Sequence, residues 1–412
     1  MEGSISERTV LFVGGSIEAV AGIELAQRMG LYVVVSDANP HAPGCKAADD
    51  FIVASTYDVE ATVWSAKNYH TNVRPIGGVI AIASDVPLTV ARVAEELGLR
   101  GISVESAKLA MDKLAMKRRF QMDGVPIPWF SPVESPAHLE RIVDREGYPL
   151  VLKPVDSRGS RGVLRLTPGI DLDWAYEMSV KHSPTNRVMV ERFLDGPQVS
   201  TESIVMKGVA YTPGFSDRNY EYLDRFAPFI IENGGDLPST LPEDVKKKVL
   251  EVVQKAALSL GVTEGVVKGD IVVHEDEPYV IELAARLSGG YFCTHEIPLN
   301  TGVDFVGNAI RLALGEEVDP EELTPKFQRC VSQRYIFPTP GKVVSVRGLE
   351  TVYSAPGIAF CDVRVKIGDV VGPINSHPAR AGVVIAVGDT REEAIERALS
   401  AIESIVIETV PV

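Results

Sequence analysis

Short apolar runs alternate with helical stretches along the first hundred residues. The runs TVLFVGG, LYVVVSDANP and GVIAIASD have the length and composition of buried strands. The stretches IEAVAGIELAQRMG and PLTVARVAEELGL space their apolar residues at helical intervals, and a further helix is predicted near residues 58–69. Strands and helices in regular alternation predict βαβ units and a parallel sheet. Residues 1–106 are therefore predicted to form a first α/β domain.

The pattern changes at the helix SAKLAMDKLAMKRRFQMDG, after which strands and helices no longer alternate regularly. This mixture predicts a central α+β domain over residues 107–324. After LALGEEVDPEEL, the Pro-rich stretch PTPGKVVSVRG opens a last segment that is largely β with one helix, TREEAIERALSAIESI. We therefore place a third domain at residues 325–412.

Length and composition limit the classes of protein to consider. A chain of 412 residues exceeds what one hydrophobic core organises, so several domains are expected. The formal charge of −15 would repel a nucleic-acid backbone. No apolar run approaches the roughly 18 residues of a membrane span, and the N-terminus lacks the basic start of a secretory signal. We expect a cytoplasmic protein with no membrane segment and no nucleic-acid partner.

The four cysteines are widely scattered and form no CxxC pair, so neither a disulfide framework nor a zinc site is predicted. The first domain, which is Rossmann-like, raises the question of dinucleotide binding. Gly14, Gly15 and Gly22 follow the first strand and Asp37 ends the second, but the glycines do not have the GxGxxG spacing. The pattern favours glycines that let the first helix pack on its sheet over a nicotinamide-dependent oxidoreductase.

A first chemical signal lies in YPLVLKPVDSRGSRGV. Lys153 ends a buried strand, and a loop rich in glycine, serine and arginine follows it directly: Ser157, Arg158, Gly159, Ser160, Arg161 and Gly162. Backbone N–H groups and cations of such a loop can surround phosphate oxygens, while Lys153 supplies a point charge. The segment predicts a phosphate clamp, and the alternative is a basic surface loop.

The next signal lies in NRVMVERFLDGPQVSTES, where a strand ends and turns at Asp195 and Gly196. A short extended linker between two sheets exposes backbone groups that can bind an adenine edge between apolar side chains. We predict such a linker at Glu191, Arg192, Phe193 and Leu194. The alternative is an ordinary hairpin.

The third signal is GVVKGDIVVHEDEPYVIELAARLSGG, which predicts two strands joined by an acidic turn. If Glu275, Asp276 and Glu277 form the loop, Asp270 and Glu282 lie opposite each other on one face of the hairpin. A divalent cation between these carboxylates would offset their repulsion and could bind substrate phosphates. Arg286 could then stabilise charge on a transferred phosphoryl group. The alternative is a solvated acidic hairpin.

Taken in order, these segments resemble the ATP-grasp superfamily over about residues 107–316. The resemblance implies a central module of two α+β subdomains that binds ATP, behind a Rossmann-like domain. Asp112 and Lys113, followed by Lys117, are similar to the DKxxxK helix of that family, which implies that Lys117 approaches the phosphates. Lys153 corresponds to the lysine that contacts the α- and β-phosphates, and residues 157–162 correspond to the flexible loop that closes over them.

The resemblance also assigns adenine binding to residues 191–194. Asp270 and Glu282 correspond to the pair that ligates two Mg²⁺ ions, with Mn²⁺ as an alternative metal. Two positions depart from the family pattern. Gln198 stands where many relatives have a ribose-binding glutamate, and Ala284 stands where an asparagine often follows the metal carboxylate. Gln198 can still bond a hydroxyl, whereas Ala284 cannot ligate a metal, which implies a more weakly held second ion.

The C-terminal segment resembles that of bacterial L-amino acid ligases, and so does RLSGGYFCTHEIPLNTGVDFVGNAIRLALGE. The resemblance implies an ATP-dependent ligase that phosphorylates a carboxylate and joins the acyl phosphate to an amine, with Lys153 and Arg286 acting on the phosphoryl oxygens. It also implies small-molecule substrates and a homodimer. Two other functions remain open: a carboxylase or formate-dependent transferase on the same fold, and a non-catalytic ATP-binding sensor.

Substrate residues are less strongly marked. Asp85 follows a strand at the edge where open α/β sheets bind ligands, and it could face an amine or cap the helix before Pro87. Arg218 or Arg225 could hold a substrate carboxylate, or either could lie on a solvated loop. His295 and its neighbour Glu296 follow the phosphate segment closely, so both are candidates for the pocket wall.

Overall fold

The computed structural model describes residues 8–412 and begins with a parallel sheet, as the sequence predicts. Its four strands have the order β3-β2-β1-β4. Every residue of β1 is buried, which explains why this run is uniformly apolar. The bounds are β1 (Thr9–Val13), β2 (Tyr32–Asp37), β3 (Asp50–Val53), β4 (Gly78–Ile80), α1 (Val20–Arg28), α2 (Pro43–Ala47), α3 (Val59–Asn72) and α4 (Pro87–Glu96).

Gly22 is required by close packing of the first helix. A Cβ atom at this position would lie 2.2 Å from Cδ1 of Ile82, a residue just beyond β4. No larger side chain fits there without displacing Ile82. Gly22 thus supports the packing interpretation, whereas Gly14 and Gly15 line the cavity described below.

A second sheet is antiparallel, with the strand order β5-β8-β6-β7. Two helices, α5 and α6, precede this sheet in the chain. Asp112 caps the N-terminus of α6, since its side chain accepts a hydrogen bond from the Ala115 backbone N–H at 2.8 Å. The bounds are α5 (Val104–Met111), α6 (Lys113–Met122), β5 (Phe130–Val133), α7 (Pro136–Glu146), β6 (Leu150–Pro154), β7 (Leu164–Leu166), α8 (Leu172–Lys181) and β8 (Val188–Arg192).

The largest sheet has nine strands and extends through the rest of the chain. Its order is β14-β13-β9-β11-β12-β15-β19-β17, with β10 paired to β9. Its strands are β9 (Gln198–Met206), β10 (Val209–Tyr211), β11 (Phe215–Asn219), β12 (Gly234–Leu237), β13 (Gly265–His274), β14 (Glu277–Ala284), β15 (Cys330–Ile336), β17 (Ile358–Val363) and β19 (Gly382–Gly388). A small sheet of the order β18-β16-β20 contains β16 (Gly341–Arg347), β18 (Val370–Val371) and β20 (Val406–Val410).

The remaining helices cover these sheets, one of them before the hairpin of β13 and β14 and the others after it. They are α9 (Glu243–Ser259), α10 (Ile297–Thr301), α11 (Phe305–Ala313), α12 (Leu349–Ser354) and α13 (Arg391–Ser404), with a π-helical turn at Phe292–Glu296 and 3₁₀ turns at Ile17–Ala19, Pro320–Leu323 and His377–Ala379. The last segment therefore contains two helices, whereas the sequence predicted one. The six-residue α12 is too short to give a clear helical period.

The large sheet crosses the domain boundary predicted at residue 325. Strand β12 pairs with β15 over four residue pairs, and β15 pairs with β19. The final segment is thus joined to the central one by backbone hydrogen bonds, and the boundary stays a prediction.

One core also joins the first domain to the rest of the chain. Phe12 and Ile23 belong to the same buried cluster as Phe305 of α11 and Ile385 of β19. Ile82 forms a parallel bridge with Leu287, just beyond β14. These contacts hold the carboxyl edge of the parallel sheet against the end of the β13–β14 hairpin. Between residues 8 and 412, none of the helices combines the length and apolar character that a bilayer crossing requires.

Candidate active site

A cavity of about 1080 Å³ lies where the parallel sheet, the antiparallel sheet and the large sheet meet. Most of the predicted site residues line it. They are Asp85, Lys153, Ser157, Arg158, Gly159, Ser160, Glu191, Arg192, Phe193, Leu194, Gln198, Arg218, Asp270, Glu282 and Arg286. Four predicted residues do not line it: Lys117, Gly162, Arg225 and His295.

The hairpin of β13 and β14 places Asp270 directly opposite Glu282, as predicted. The turn differs from the prediction, because His274 pairs with Glu277 and only Glu275 and Asp276 form the loop. Both loop residues have positive φ, as a tight hairpin turn requires. A β-bulge next to Asp270 shifts the register by one residue and restores the pairing that a three-residue loop would have produced.

Lys113, at the start of α6, faces this carboxylate pair. Its Nζ lies 3.0 Å from Oε1 of Glu282 and donates a hydrogen bond to the Ser157 carbonyl oxygen at 2.7 Å. Burial opposes its charge, but Glu282 and Asp85 outweigh burial and raise the pKa of Lys113. Lys113 therefore joins the hairpin to the glycine-rich loop.

Lys117 does not reach the cavity, contrary to the expectation that it approaches phosphates. Its ammonium group is fully buried one turn further along α6, where it donates to the Val280 carbonyl oxygen at 2.9 Å and lies 3.2 Å from Glu191. Burial lowers the pKa of Lys117 to about 8, and Glu191 opposes this effect. The residue of this helix that faces the cavity is Lys113.

Glu191 lies between two lysines at the end of β8. It accepts a hydrogen bond from Nζ of Lys153 and forms an ion pair with Lys117. Burial opposes ionisation of this carboxyl group, but the two ammonium groups outweigh burial and lower the pKa of Glu191. The Lys153 ammonium is thereby fixed at the cavity wall, next to the loop that follows β6.

The glycine-rich loop is held from two sides. The guanidinium carbon of Arg158 stacks 3.9 Å from the ring centroid of Tyr57, in the first domain. On the other side, the Gly159 carbonyl oxygen accepts a hydrogen bond from the His377 backbone N–H at 2.9 Å. Gly162 itself does not line the cavity. It has a φ of +71° and lies close to His182 and Pro154. The loop thus bridges the first domain and the C-terminal segment.

Residues 191–194 connect two different sheets, because β8 belongs to the antiparallel sheet and β9 to the large sheet. The hairpin alternative is therefore wrong. Arg192 donates to the Glu146 carbonyl oxygen at 2.8 Å, and Arg165 stacks on the ring of Phe193. Gln198, which opens β9, lines the cavity with this linker.

Arg286 and Asp85 meet across two domains. Nε of Arg286 lies 3.4 Å from Oδ1 of Asp85, and both side chains line the cavity. Asp85 does not cap α4, since Val86 occupies the N-cap position. Burial opposes the charge of Arg286, but Asp85 and Glu282 raise its pKa.

Arg218 forms ion pairs with Asp270 and Glu232, each at 2.8 Å. Burial opposes ionisation of Asp270, but Arg218 and Lys268 outweigh it and lower its pKa to about 2. Arg225, the alternative candidate, instead stacks on Tyr222 and Phe226. Arg218 is therefore the one of the two that faces the cavity.

His295 lies against the rings of Tyr291 and Phe360 and does not line the cavity, contrary to expectation. Its neighbour Glu296 does line it. The sequence analysis missed several residues of the cavity wall that come from distant parts of the chain: Glu232, Lys268, Tyr335, His377 and Arg380. Lys268 lies in the quoted hairpin motif two residues before Asp270, where its role was not recognised. The other four belong to no short motif, so only the fold brings them together.

Comparisons with known proteins agree with this geometry. Residues 110–290 match the ATP-grasp domain, and residues 334–410 match the L-amino acid ligase C-terminal domain 2. Residues 110–290 are therefore an ATP-grasp domain, and the chain is an ATP-dependent enzyme that forms C–N bonds. The match of its C-terminal segment supports a carboxylate-amine ligase of the ATP-grasp superfamily.

Individual relatives are more distant. The fold of an L-amino acid ligase from Bacillus licheniformis is similar, with a TM-score of 0.83, 21% identity and coverage of 98% of this chain and 99% of that one. The uncharacterized protein y4rH of Sinorhizobium fredii is 26% identical over 92% of this chain and 79% of its own length. A D-alanine–D-alanine ligase from Ralstonia pickettii is 29% identical over 47% of this chain, which spans 60% of that ligase.

Proposed function

We propose that this enzyme joins a carboxylate to an amine through an acyl phosphate, with an amino acid as one substrate. One observation carries the proposal: the C-terminal segment of the L-amino acid ligase type lines the same cavity as the phosphate and metal residues. Tyr335, His377 and Arg380 come from residues 334–410, and Asp270 and Glu282 from residues 110–290. A substrate bound by the C-terminal residues would lie in the same cavity as a nucleotide bound near Asp270 and Glu282.

Asp270 and Glu282 fit a magnesium site. Two opposed carboxylates offer hard oxygen ligands, and substrate phosphates commonly supply further ligands to Mg²⁺. Within residues 8–412 no group of three or more potential protein ligands exists, which suits a metal held partly by a nucleotide. When bound, Mg²⁺ would neutralise charge on the transferred phosphoryl oxygens. Two ions, or Mn²⁺ in their place, remain part of the proposal.

The chain's own residues provide the rest of the ATP site. Lys113, Lys153 and Arg158 bring positive charge to the phosphates, and the loop of residues 157–162 excludes water when it covers them. Residues 191–194 and Gln198 lie where adenine and ribose would bind. Arg286, fixed by Asp85, stabilises negative charge on the phosphoryl group as it moves.

The reaction proceeds in two steps. A carboxylate oxygen attacks the γ-phosphorus, the bond to the β-phosphate oxygen breaks, and ADP leaves. The amine nitrogen then attacks the carbonyl carbon, the bond to the phosphate oxygen breaks, and inorganic phosphate leaves as the amine releases one proton. The site contributes mainly positioning and charge neutralisation to both steps.

The two alternative functions make different demands. A carboxylase or formate-dependent transferase needs only a small acid pocket, whereas the C-terminal segment adds Tyr335, Arg364, His377 and Arg380 to the wall of this cavity. A non-catalytic sensor would not need Lys113, Lys153, Arg286 and the opposed carboxylates together.

The test is Mg²⁺-dependent phosphate release from ATP with amino acids alone and in pairs, and with formate and bicarbonate. Glu282→Gln is the blank, and Glu277→Gln, at the exposed start of β14 in the same hairpin, is the matched control. We expect release that needs one acid and one amine and that disappears only in Glu282→Gln. Turnover with bicarbonate or formate alone would favour the first alternative, and ATP binding without turnover would favour the second.

A further inference from the structure

Glu296 is a buried carboxylate that faces the cavity without a partner. It ends the π-helical turn Phe292–Glu296, is 3% exposed and lines the cavity wall. Between residues 8 and 412, no side chain or backbone N–H donates a hydrogen bond to its carboxylate oxygens. Buried carboxylates are normally paired, so this one is expected to have a ligand.

The surroundings of Glu296 are unfavourable to its charge. Burial, together with Glu232, Asp236 and Glu202, raises the pKa of Glu296 well above its usual value, and Arg334 only partly opposes them. Arg334 itself is committed to Asp236 at 2.8 Å. A positively charged group in the cavity would therefore stabilise the ionised carboxylate.

Two residues of the C-terminal segment lie on the same wall. The hydroxyl of Tyr335 has no hydrogen-bond partner within the described part of the chain, and the guanidinium of Arg380 stacks 3.7 Å from the Tyr335 ring centroid. Arg380 donates to the Glu232 carbonyl oxygen at 2.7 Å, but its buried Nε is also unpartnered among residues 8–412. Unpartnered donors and an unpartnered acceptor thus line one region of polar wall.

This wall is continuous with the phosphoryl-transfer residues. Glu202 is fully buried and accepts hydrogen bonds from both N–H and Oγ of Ser288, which lies two residues after Arg286. Ser288, Arg286 and Glu296 all line the cavity. A substrate bound at Glu296 could therefore extend its carboxylate toward Arg286.

The chemistry of the second step indicates which of the two substrates binds at Glu296. An ammonium group paired with a carboxylate keeps its proton, and a protonated amine is not a nucleophile. The attacking amine must be neutral, so an ion pair with Glu296 would prevent its attack. The amino acid that supplies the acyl group, in contrast, must keep its own amino group from reacting.

We propose that Glu296 binds the α-ammonium group of the amino acid whose carboxylate is phosphorylated, with the Tyr335 hydroxyl beside it. This inference rests on the proposed ligase function and deepens it. It assigns α-amino acids, rather than simple carboxylic acids, as the class of acyl donor. Glu296 is a specificity-determining residue in this assignment.

Hydroxylamine isolates the acyl-donor step, because it attacks an acyl phosphate and replaces the natural amine. The full-length protein is incubated with ATP, Mg²⁺, hydroxylamine and each L-amino acid, or with the matching acid that lacks the amino group. Propionate matches alanine, isocaproate matches leucine and hydrocinnamate matches phenylalanine. Hydroxamate is measured as its coloured iron complex.

In the wild-type enzyme we expect hydroxamate from amino acids in preference to their matched acids. In Glu296→Gln this preference should fall by roughly 10- to 100-fold through a higher KM for the amino acid, since a charged hydrogen-bond partner is lost. The KM for ATP should change little. Tyr335→Phe keeps the ring under Arg380 and should reduce the preference less.

Glu316→Gln is the matched control, because it alters a half-buried carboxylate that lies outside the cavity lining and is paired with Arg311. It should leave the preference for amino acids unchanged. If Glu296→Gln does not fold, as judged by thermal melting, Glu296→Asp and Tyr335→Phe carry the test. Equal use of amino acids and matched acids by the wild type, or an unchanged preference in the Glu296 variants, overturns the inference.

Failure of the ligase function gives a different result. Calorimetric titration of amino acids into the protein with Mg²⁺ and a non-hydrolysable ATP analogue measures the subsite without turnover. Binding that weakens in Glu296→Gln, without any hydroxamate from the wild type, would reject the ligase function and retain the ammonium subsite. Hydroxamate formation without that preference would retain the ligase function and reject the subsite.

Discussion

Asp270 and Glu282 lie directly opposite each other because a β-bulge compensates for a short turn. The two-residue loop alone would place them one position out of register, on opposite faces of the hairpin. The bulge adds one residue to β14 at the point where the carboxylates must converge. Bulges are often found where a strand has to redirect a functional side chain.

Asp270→Asn and Glu282→Gln should each lower Mg²⁺-dependent turnover by about 100-fold or more, because each removes a charged oxygen ligand from the proposed magnesium site. Phosphate release measures turnover, and calorimetry measures ATP binding, which should weaken far less. Chelation of Mg²⁺ should abolish turnover in the wild type. A Glu282→Gln enzyme with normal turnover would exclude this carboxylate from the metal site.

Lys113 and Lys117 should have separable roles. Lys117→Met leaves Glu191 with one of its two buried partners, so the free energy of unfolding should fall by roughly 3 kcal/mol. Lys113→Met should lower kcat/KM about 100-fold, because this ammonium group faces the cavity, and it should affect stability less. Urea denaturation and phosphate release measure the two effects. The reverse pattern would restore the phosphate role to Lys117.

Glu202 should make stability depend on pH. Burial raises its pKa to about 7, above the value of about 4.3 in an unfolded chain. The proton on Glu202 therefore favours the folded state below the unfolded pKa, and this contribution is lost as the pH rises through about 7. Relative to Glu202→Gln, which does not titrate, the wild type should lose roughly 3–4 kcal/mol across this range.

Urea denaturation of both proteins at several pH values measures that difference. It should be level below pH about 4 and above pH about 8, and it should fall between them. A difference that rises with pH would mean that the hydrogen bonds from Ser288 lower the pKa of Glu202 more than burial raises it.

Tyr57 should control access to the glycine-rich loop. Tyr57→Ala removes the ring on which Arg158 stacks, a contact worth about 0.5–1 kcal/mol at an exposed site. Trypsin should then cleave after Arg158 or Arg161 a few times faster, as followed by mass spectrometry. Trp64→Ala, which removes an exposed aromatic residue of α3, is the control. Equal cleavage rates in both variants would mean that Tyr57 does not hold the loop.

Sequence patterns were sufficient for the parallel sheet, the opposed carboxylates and the linker between the two sheets. In each case the signal is local, since period, turn residues and flanking chemistry lie within one or two elements. The turn length was wrong and the carboxylate pairing right, because a bulge inside an apolar strand carries no distinctive residue.

Lys113 and Lys117 differ in a way that local sequence patterns could not predict. They lie four residues apart on one helix, so both appear on the same face. Asp112 fixes the start of α6 next to the glycine-rich loop, which brings Lys113 to the cavity, while Lys117 lies one turn deeper against Val280. Only the packing of α6 on the hairpin distinguishes them.

Glu296 was a candidate for the pocket wall, but its grouping with Tyr335 and Arg380 was beyond sequence reasoning for a different reason. Their juxtaposition depends on the β12–β15 pairing, which joins segments almost a hundred residues apart in the chain. The raised pKa of Glu296 likewise depends on burial and on charged neighbours from several separate elements.

The strand pairing across residue 325 also bears on how such enzymes could be recombined. Removing the C-terminal segment would leave the β12 edge open and would take Tyr335 and Arg380 from the cavity in the same cut. A chimera that exchanged this segment between relatives would have to reproduce the β12–β15 ladder to fold at all. Substrate choice and cooperative folding would therefore both depend on the same β12–β15 strand pairing.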